Sequence, residues 1–508
     1  NRVGDNAAEI DRLFRASALY RDKWERRDYR EATLRMALER YEEESALPDF
    51  VYEDKGGNLH VSAPLLAKHV RENLPYILVR DSGRQAMQVY VYENGCYRLY
   101  APEMLKGAIK KFIADYNETF VTMRTLNEVY GLITTDLGYI SQDSLNADEG
   151  VINFENGLLD ISGEALVLKP HTLQVLSTIQ IPCRWNDTPS PTPVFDIYLE
   201  TLTGGNKDVQ KLLLEFMGAC LSNVKGYRMK KALFLVGKGD SGKSQLKALT
   251  EKLLGRGNFT GIDLGEIEAR FGTGAIYGTR LAGSSDMRFL TVNELECFKR
   301  ITGGDSIFAE FKGQQGFEYT YSGLLWFCMN RLPKFGGDNG QWVYDRIIIV
   351  ECNNVIAKDK QDKLLLDKMY AEREGIVHKC VIALLDVIKN GYSFTEPDCV
   401  TQARSEYMKD NNTVLAFFHE CMVPRLNRQK DNCTASKLYE VYKAWCVDNN
   451  HGYAETAKVF RDTLCEYLGK SYSELTMHTD KGTYWCGYTL SLDAKQEYAR
   501  IYGIDFLS

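Results

Sequence analysis

Residues Gly237, Lys238, Gly239, Asp240, Ser241, Gly242, Lys243 and Ser244 read GKGDSGKS and fit G-x-x-x-x-G-K-[ST] at every fixed position. The chemistry of that pattern is phosphate binding. Glycines at 237 and 242 let the backbone turn its N–H groups toward an anion. Lys243 sets a point charge near the β/γ-phosphates, and Ser244 offers a hydroxyl to Mg²⁺. A helix after the loop aims its positive N-terminus at the same anion. These eight residues are the expected nucleotide-binding set, with ATP and Mg²⁺ as cofactors.

A phosphate loop alone does not separate kinases, switches and motors. Hydrolysis also needs an acid for metal or water, a polar group near the γ-phosphate and often an arginine supplied in trans. Each has a candidate, in order along the chain. Asp286 in TRLAGSSDM is the acid and, with Ser244, a metal ligand. Asn330 ends the apolar run WFCMN, where a sensor of the attacking water belongs. Arg346 in VYDRIIIV precedes a strand, where it can reach a neighbouring subunit. Singly, each also reads as a surface polar residue at a strand end. In series behind the loop, Lys243, Asp286, Asn330 and Arg346 form a catalytic set.

The elements that must position these residues follow from pattern. ALFLV before the loop, GLLWFCMN and RIIIV are short apolar runs of the kind buried in a parallel sheet. Leu246, Leu249, Leu253 and Leu254 mark a helix after the loop. The region 229–355 therefore reads as an α/β core. Ahead of it, 1–46 is helical, and 47–185 is mixed α+β, with a hairpin signal at Asn94-Gly95 in AMQVYVYENGCYRLY and strand–turn–strand in GVINFENGLLDI. A linker, RWNDTPSPTPVF, and helices fill 186–228. Behind the core, 356–408 is a helical connector. Residues 409–508 form a compact unit of helices followed by the hairpin-like GTYWCGYTLSL.

With 508 residues the chain is too long for one core. No apolar run spans a bilayer, so no membrane is expected. The chain starts at Asn1 rather than Met and reads as part of a longer product. Thirteen cysteines, an odd number without a C-x-x-C pair, argue against zinc and disulfides and for a reducing, cytoplasmic setting, with Cys220 and Cys328 as core residues. The formal charge of −7 argues against a protein that coats DNA electrostatically. It allows a ring whose few inward lysines make a positive channel.

INFENGLLDI, LKPHT, GGNKDVQKLLLEFMGACL, GKGDSGKS, ITGGDSIFAEFKGQQGFEYT, LLWFCMNRLPKF and DRIIIVEC resemble successive landmarks of superfamily 3 helicases. The nearest branch is the phage and plasmid primase-helicases, a type shared by satellite phages and poxviruses. The resemblance spans about residues 48–355. It implies an AAA+-type P-loop ATPase core that works as a homo-hexamer on single-stranded or forked DNA, with an amino-terminal collar. AAEIDRLFRASALYRDKW resembles the joint behind a primase-polymerase domain, which would then be a partner, with other replication proteins. By position, Lys243 and Ser244 match the P-loop pair, Asp286 the Walker B acid, Asn330 sensor 1 and Arg346 the arginine finger. Lys312 in FAEFKGQQGFEY matches the basic residue that enters the channel. Two departures stand out: LAGSSD carries one acid where two acids or a glutamate are usual, leaving Glu294 as a fallback base, and Asp345 stands where a second arginine is often found.

The stretch Phe308–Tyr321 alternates apolar and polar residues around Gly313, Gln314, Gln315 and Gly316, a hairpin pattern. Lys312 beside the tip can meet a DNA phosphate and Phe311 a sugar or base. The terminal unit resembles a winged helix, its recognition helix in TAKVFRDTLCEYLG with Lys458 and Arg461, its wing in HTDKGTYW with Lys481. Such a module serves protein contacts as often as DNA. Two other functions remain open: a switch ATPase that assembles on nucleotide without unwinding, and a small-molecule kinase. Lys312 argues against the first, the long flanking domains against the second.

Overall fold

The computed structural model describes residues 7–17, 20–45, 47–81, 87–163, 165–292, 294–335, 341–425, 433–449, 454–480 and 482–503. The chain divides into two compact units.

The first unit begins with helices Ala7–Arg15 and Arg27–Ser45. A four-stranded sheet comes next, in the order Cys96–Tyr100, Gln88–Glu93, Tyr76–Arg80, Tyr139–Ser141. The expected hairpin turns at Asn94 and Gly95, both at positive φ (49° and 84°), as its two-residue loop requires. Helices Ala63–Asn73, Pro102–Asn117 and Met123–Thr134 set Leu66, Val70, Leu105, Ile109, Val129 and Ile133 against Leu78, Val89 and Val91 of the sheet. This unit closes at Gln142. Residues 143–185, which sequence pattern joins to it, belong instead to the second unit.

The second unit opens with an antiparallel sheet, Val151–Phe154, Gly157–Asp160 and Val167–Lys169. Helices α1 (Pro193–Leu202) and α2 (Lys207–Leu221) come next. Then come β1 (Ala232–Val236), α3 (Lys243–Leu254), β2 (Phe259–Gly261), β3 (Leu281–Gly283), α4 (Glu296–Gly303), the hairpin β4 (Ser306–Ala309) and β5 (Phe317–Thr320), β6 (Leu324–Met329) and β7 (Ile347–Glu351). Strands β2-β3-β6-β1-β7, in that order, make one all-parallel sheet.

Alternation along its strands explains why that sheet is covered on both faces. Leu233, Leu235, Trp326, Cys328, Ile348 and Val350 join one core with α1, α2, α3 and the helix α5 (Arg373–Lys389). Ala232, Phe234, Leu325, Phe327, Ile347 and Ile349 join a second core with α4. Arg280, fully buried just before β3, donates to Ala219 O (2.6 Å), Cys220 O (3.3 Å), Val224 O (2.5 Å) and Ser322 O (2.5 Å). It thereby ties the C-terminus of α2 to the segment leaving the hairpin. A buried cation is tolerable there because carbonyls at a helix C-terminus face it, though burial still pushes its pKa down.

Residues 413–502 have a core of their own around Phe417, Tyr442, Trp445, Phe460 and Leu464. The recognition-helix candidate is helical over Ala457–Leu468, capped by the Thr456 side chain and ended by left-handed Gly469. Strands Thr476–Thr479 and Gly482–Trp485 pair around the expected wing turn. The two strand runs of GTYWCGYTLSL do not pair with each other: Tyr488–Leu490 pairs with Met422–Pro424. The local hairpin reading is corrected to that extent. Lys481 lies outside the described residues.

Candidate nucleotide-binding site

The loop 237–244 joins β1 to α3 at the carboxyl edge of the parallel sheet. Beside β1 the strand order reverses, the place where open α/β sheets bind ligands. Gly237 has φ 153°, and a Cβ there would lie 2.2 Å from the Cys352 carbonyl oxygen. Gly242 has φ 90° and lies under the Tyr198 ring, 3.2 Å from where its Cβ would stand. Only glycine fits either position. Gly237 N donates to Met329 O (3.2 Å), Ile356 N to Asp240 O (2.9 Å), and the Tyr198 hydroxyl to Gly242 O (2.9 Å). The loop is thus fixed from β6, from the segment after β7 and from α1.

Lys243 is buried, and its Nζ donates to Gly237 O (2.7 Å), Lys238 O (2.8 Å) and Ser241 Oγ (3.1 Å). The ammonium is held inside the turn, while Lys238, Gly239 and Asp240 stay exposed. Ser244 is exposed and its Oγ donates to Ser285 O (2.7 Å). That bond joins the loop to the residue before Asp286. Cys328 N donates to Ser284 O and Met287 N to Cys328 O, both at 2.8 Å, which draws 284–287 along the end of β6. Asp286 is exposed at that edge, and Asn330 is exposed one residue beyond β6. The structure therefore brings Lys243, Ser244, Asp286 and Asn330 to one edge. A hydroxyl in the first turn of α3 and a carboxylate just beyond β3 are a donor set suited to Mg²⁺.

Glu294 sits elsewhere. It lines a cavity of about 580 Å³ with Asp263, Glu266, Glu268 and Arg288, and no hydrogen bond joins it to the phosphate loop among the described residues. Glu268 there accepts from Cys297 N (2.9 Å) and Phe298 N (2.7 Å), capping α4, and burial raises its pKa. Asp286→Asn is accordingly expected to leave ATP binding intact and cut turnover strongly, while Glu294→Gln has little effect. Steady-state hydrolysis beside a nucleotide titration checks this. A severe Glu294→Gln with a mild Asp286→Asn would move the acid to Glu294.

Arg346 is at the opposite edge. Its carbonyl accepts from Ala232 N, at the start of β1, and five strand residues put about 16 Å between it and the loop. It cannot serve its own chain's loop. Nη1 donates to Lys299 O (2.6 Å) and Thr302 Oγ1 (2.8 Å) of α4, and Trp342 lies 5.8 Å from the guanidinium. Burial pushes the Arg346 pKa down, and Asp305 opposes that.

The hairpin pairs Ser306–Ala309 with Phe317–Thr320. Lys312 is exposed in its turn, where Gln314 N donates to Phe311 O (3.0 Å). Phe311 turns inward, its ring 5.5 Å from Phe317 and 6.0 Å from Tyr277. The exposed ring of the hairpin is Phe308, 54% accessible, which the alternation did not single out. Sequence reasoning also missed Tyr198, which looks like one more apolar position of α1. In the terminal unit Lys458 is exposed, but Arg461 is paired with Asp462 (2.8 Å) and packed over Tyr472 (5.2 Å).

Three segments match known families. Residues 235–346 match a model described as "Family of unknown function (DUF5906)". Residues 3–44 match the NrS-1 polymerase HBD domain, and residues 409–486 match the model "Poxvirus D5 protein-like". Similar solved structures include the A form apo structure of the NrS-1 C terminal region, at 11% identity and TM-score 0.47, covering 83% of this chain and 97% of that one. A second, of NrS-1 residues 305–718, has 10% identity, TM-score 0.43 and coverage of 83% and 99%. Among the described residues no helix is long and apolar enough to cross a membrane.

Proposed function

We propose that this chain is an ATP-dependent, superfamily 3-type DNA helicase or translocase that replicates a phage, plasmid or other mobile element. It acts as a hexameric ring with an AAA+-type core. The observation that carries the reading is the convergence of Lys243, Ser244, Asp286 and Asn330 on the carboxyl edge of one parallel sheet, with Arg346 on the opposite edge. That division suits hydrolysis completed between subunits. Matches to NrS-1 polymerase and poxvirus D5-type segments at the two ends support a role in viral or phage DNA replication, and a primase-polymerase module is the expected partner. Lys243 and the loop amides would hold the triphosphate, Ser244 and Asp286 would hold Mg²⁺, Asn330 would orient the attacking water, and Arg346 of the adjacent subunit would meet the γ-phosphate. When bound, Mg²⁺ would neutralise charge on the triphosphate.

The test measures ATP hydrolysis with and without single-stranded DNA, strand displacement on a fork, and native mass with nucleotide. Absence of hydrolysis would overturn the reading. DNA-independent hydrolysis without displacement would favour the nucleotide-switched assembly ATPase instead, a reading to which the inward Phe311 lends some weight. Subunit mixing tests the trans arginine. Arg346→Ala and Lys243→Ala chains, each reduced to a residual rate alone, are expected to regain activity on mixing, because some interfaces join an intact loop to an intact Arg346. No regain at any ratio would mean that Arg346 does not complete a neighbour's site.

A further inference from the structure

Thr302 stands in the last turn of α4 and is buried. Oγ1 donates to Phe298 O (2.7 Å), four residues back, so its lone pair is left toward Arg346 Nη1, which donates to it at 2.8 Å. The same Nη1 donates to Lys299 O at 2.6 Å. Arg346 Nε and Nη2 have no acceptor among the described residues. The guanidinium is therefore pinned by one nitrogen over the Trp342 ring, with its other donors left for an anion. A planar fork anchored in this way loses little freedom when it meets a phosphate.

The anchor is also continuous with the hairpin. Helix α4 ends at Gly303, left-handed Gly304 turns the chain, and β4 starts at Ser306. Arg300 closes that turn: its carbonyl accepts from Gly304 N (2.9 Å) and Asp305 N (3.0 Å), and its Nη1 donates to Ser306 O (3.4 Å). The hairpin base and the turn of α4 that holds Arg346 are thus joined through Arg300.

We propose that Thr302 is the positioning residue for Arg346 and the joint through which the hairpin's contact with DNA sets that arginine's posture. This rests on the functional reading above, in which Arg346 completes a neighbour's site. Thr302 touches no substrate and acts through Arg346 alone.

Thr302→Val keeps the shape and removes the acceptor, and Thr302→Ser keeps the acceptor. Misplacing a group by about 1 Å costs on the order of 10²-fold. The valine variant is therefore expected to lose about that factor in kcat and nearly all stimulation by single-stranded DNA, with nucleotide affinity and native mass unchanged. The serine variant should stay within about threefold of the parent, since the same hydroxyl lone pair is present. A double-mutant cycle separates positioning from general damage: Thr302→Val added to Arg346→Ala should cost nothing further, because the residue acted upon is gone. Parental kcat and stimulation in the valine variant would overturn the proposal, as would additive losses in the cycle, a serine variant as poor as valine, or a loss confined to nucleotide affinity. An inactive parent chain would overturn the functional reading together with it. An active parent with an indifferent Thr302 overturns this inference alone.

Discussion

Lys243→Ala is expected to abolish ATP hydrolysis, by roughly 10²–10³-fold or more, the range seen when one preorganised charge-stabilising donor is lost. The ammonium is fixed by two loop carbonyls and Ser241 Oγ before any ligand arrives. Its place in the loop is therefore set, and one of those three bonds gives way when it donates to the transferring phosphoryl group. Those same bonds show why the effect has two components. Alanine removes the charge and also leaves Gly237 O and Lys238 O without their donor, so the empty loop loosens. A melting curve and a labelled-nucleotide titration measure the second component, and single-turnover hydrolysis at saturating nucleotide measures the first. A variant that binds weakly yet turns over normally once saturated would make Lys243 a structural strut. Unchanged turnover under all conditions would remove the loop from the chemistry.

The loop was legible because it is dense: eight consecutive residues whose types are dictated by backbone contact with an anion. The strands around it were legible because parallel strands buried on both faces read as unbroken apolar runs, as ALFLV and LLWFCM do. Their order was not legible. Nothing local in LLWFCM says that β6 inserts between β1 and β3, yet that insertion puts Asn330 beside the loop. Non-local pairing also defeated the reading at the C-terminus, where the run after Gly487 looks like the second arm of a hairpin but pairs with Met422–Pro424. Side-chain direction escaped for a related reason. Period-2 alternation names the residues of a strand face, but in the turn at 310–316 it no longer applies, and Phe311 folds onto Tyr277 while Phe308 faces out. Tyr198, Arg280 and Thr302 could not be found from type or spacing at all. Their roles come from backbone carbonyls and side chains distant in sequence, and a tyrosine in an apolar helix, an arginine before a strand and a threonine in a last turn are ordinary occupants of those places.

Lys312→Ala is expected to separate hydrolysis from motion. Lys312 is exposed at the hairpin turn and makes no ion pair among the described residues. Its removal costs the fold little and takes no group from the nucleotide edge. The hairpin is nonetheless tied to that edge: β5 passes through Tyr321–Gly323 into β6, and β6 ends at Met329, one residue before Asn330, while Arg280 clamps Ser322 to α2 at 2.5 Å. A lysine from each subunit of a ring would hold successive phosphates, and each hydrolysis would shift one hairpin along the strand. Basal ATP hydrolysis should then survive in the alanine variant, and DNA stimulation and strand displacement should collapse. The salt dependence of DNA binding should also flatten, by about 0.7 in slope for every single-strand phosphate that is no longer neutralised. Hydrolysis and displacement assays on one preparation, a binding series across salt concentrations, and gel filtration to establish that the oligomer persists make up the experiment. Normal displacement with an unchanged salt slope would put the DNA contact elsewhere, with the exposed Phe308 the next residue to replace. Loss of basal hydrolysis along with displacement would instead mean that the hairpin supports the nucleotide edge directly, and that Lys312 is part of the ATPase rather than of the grip on DNA.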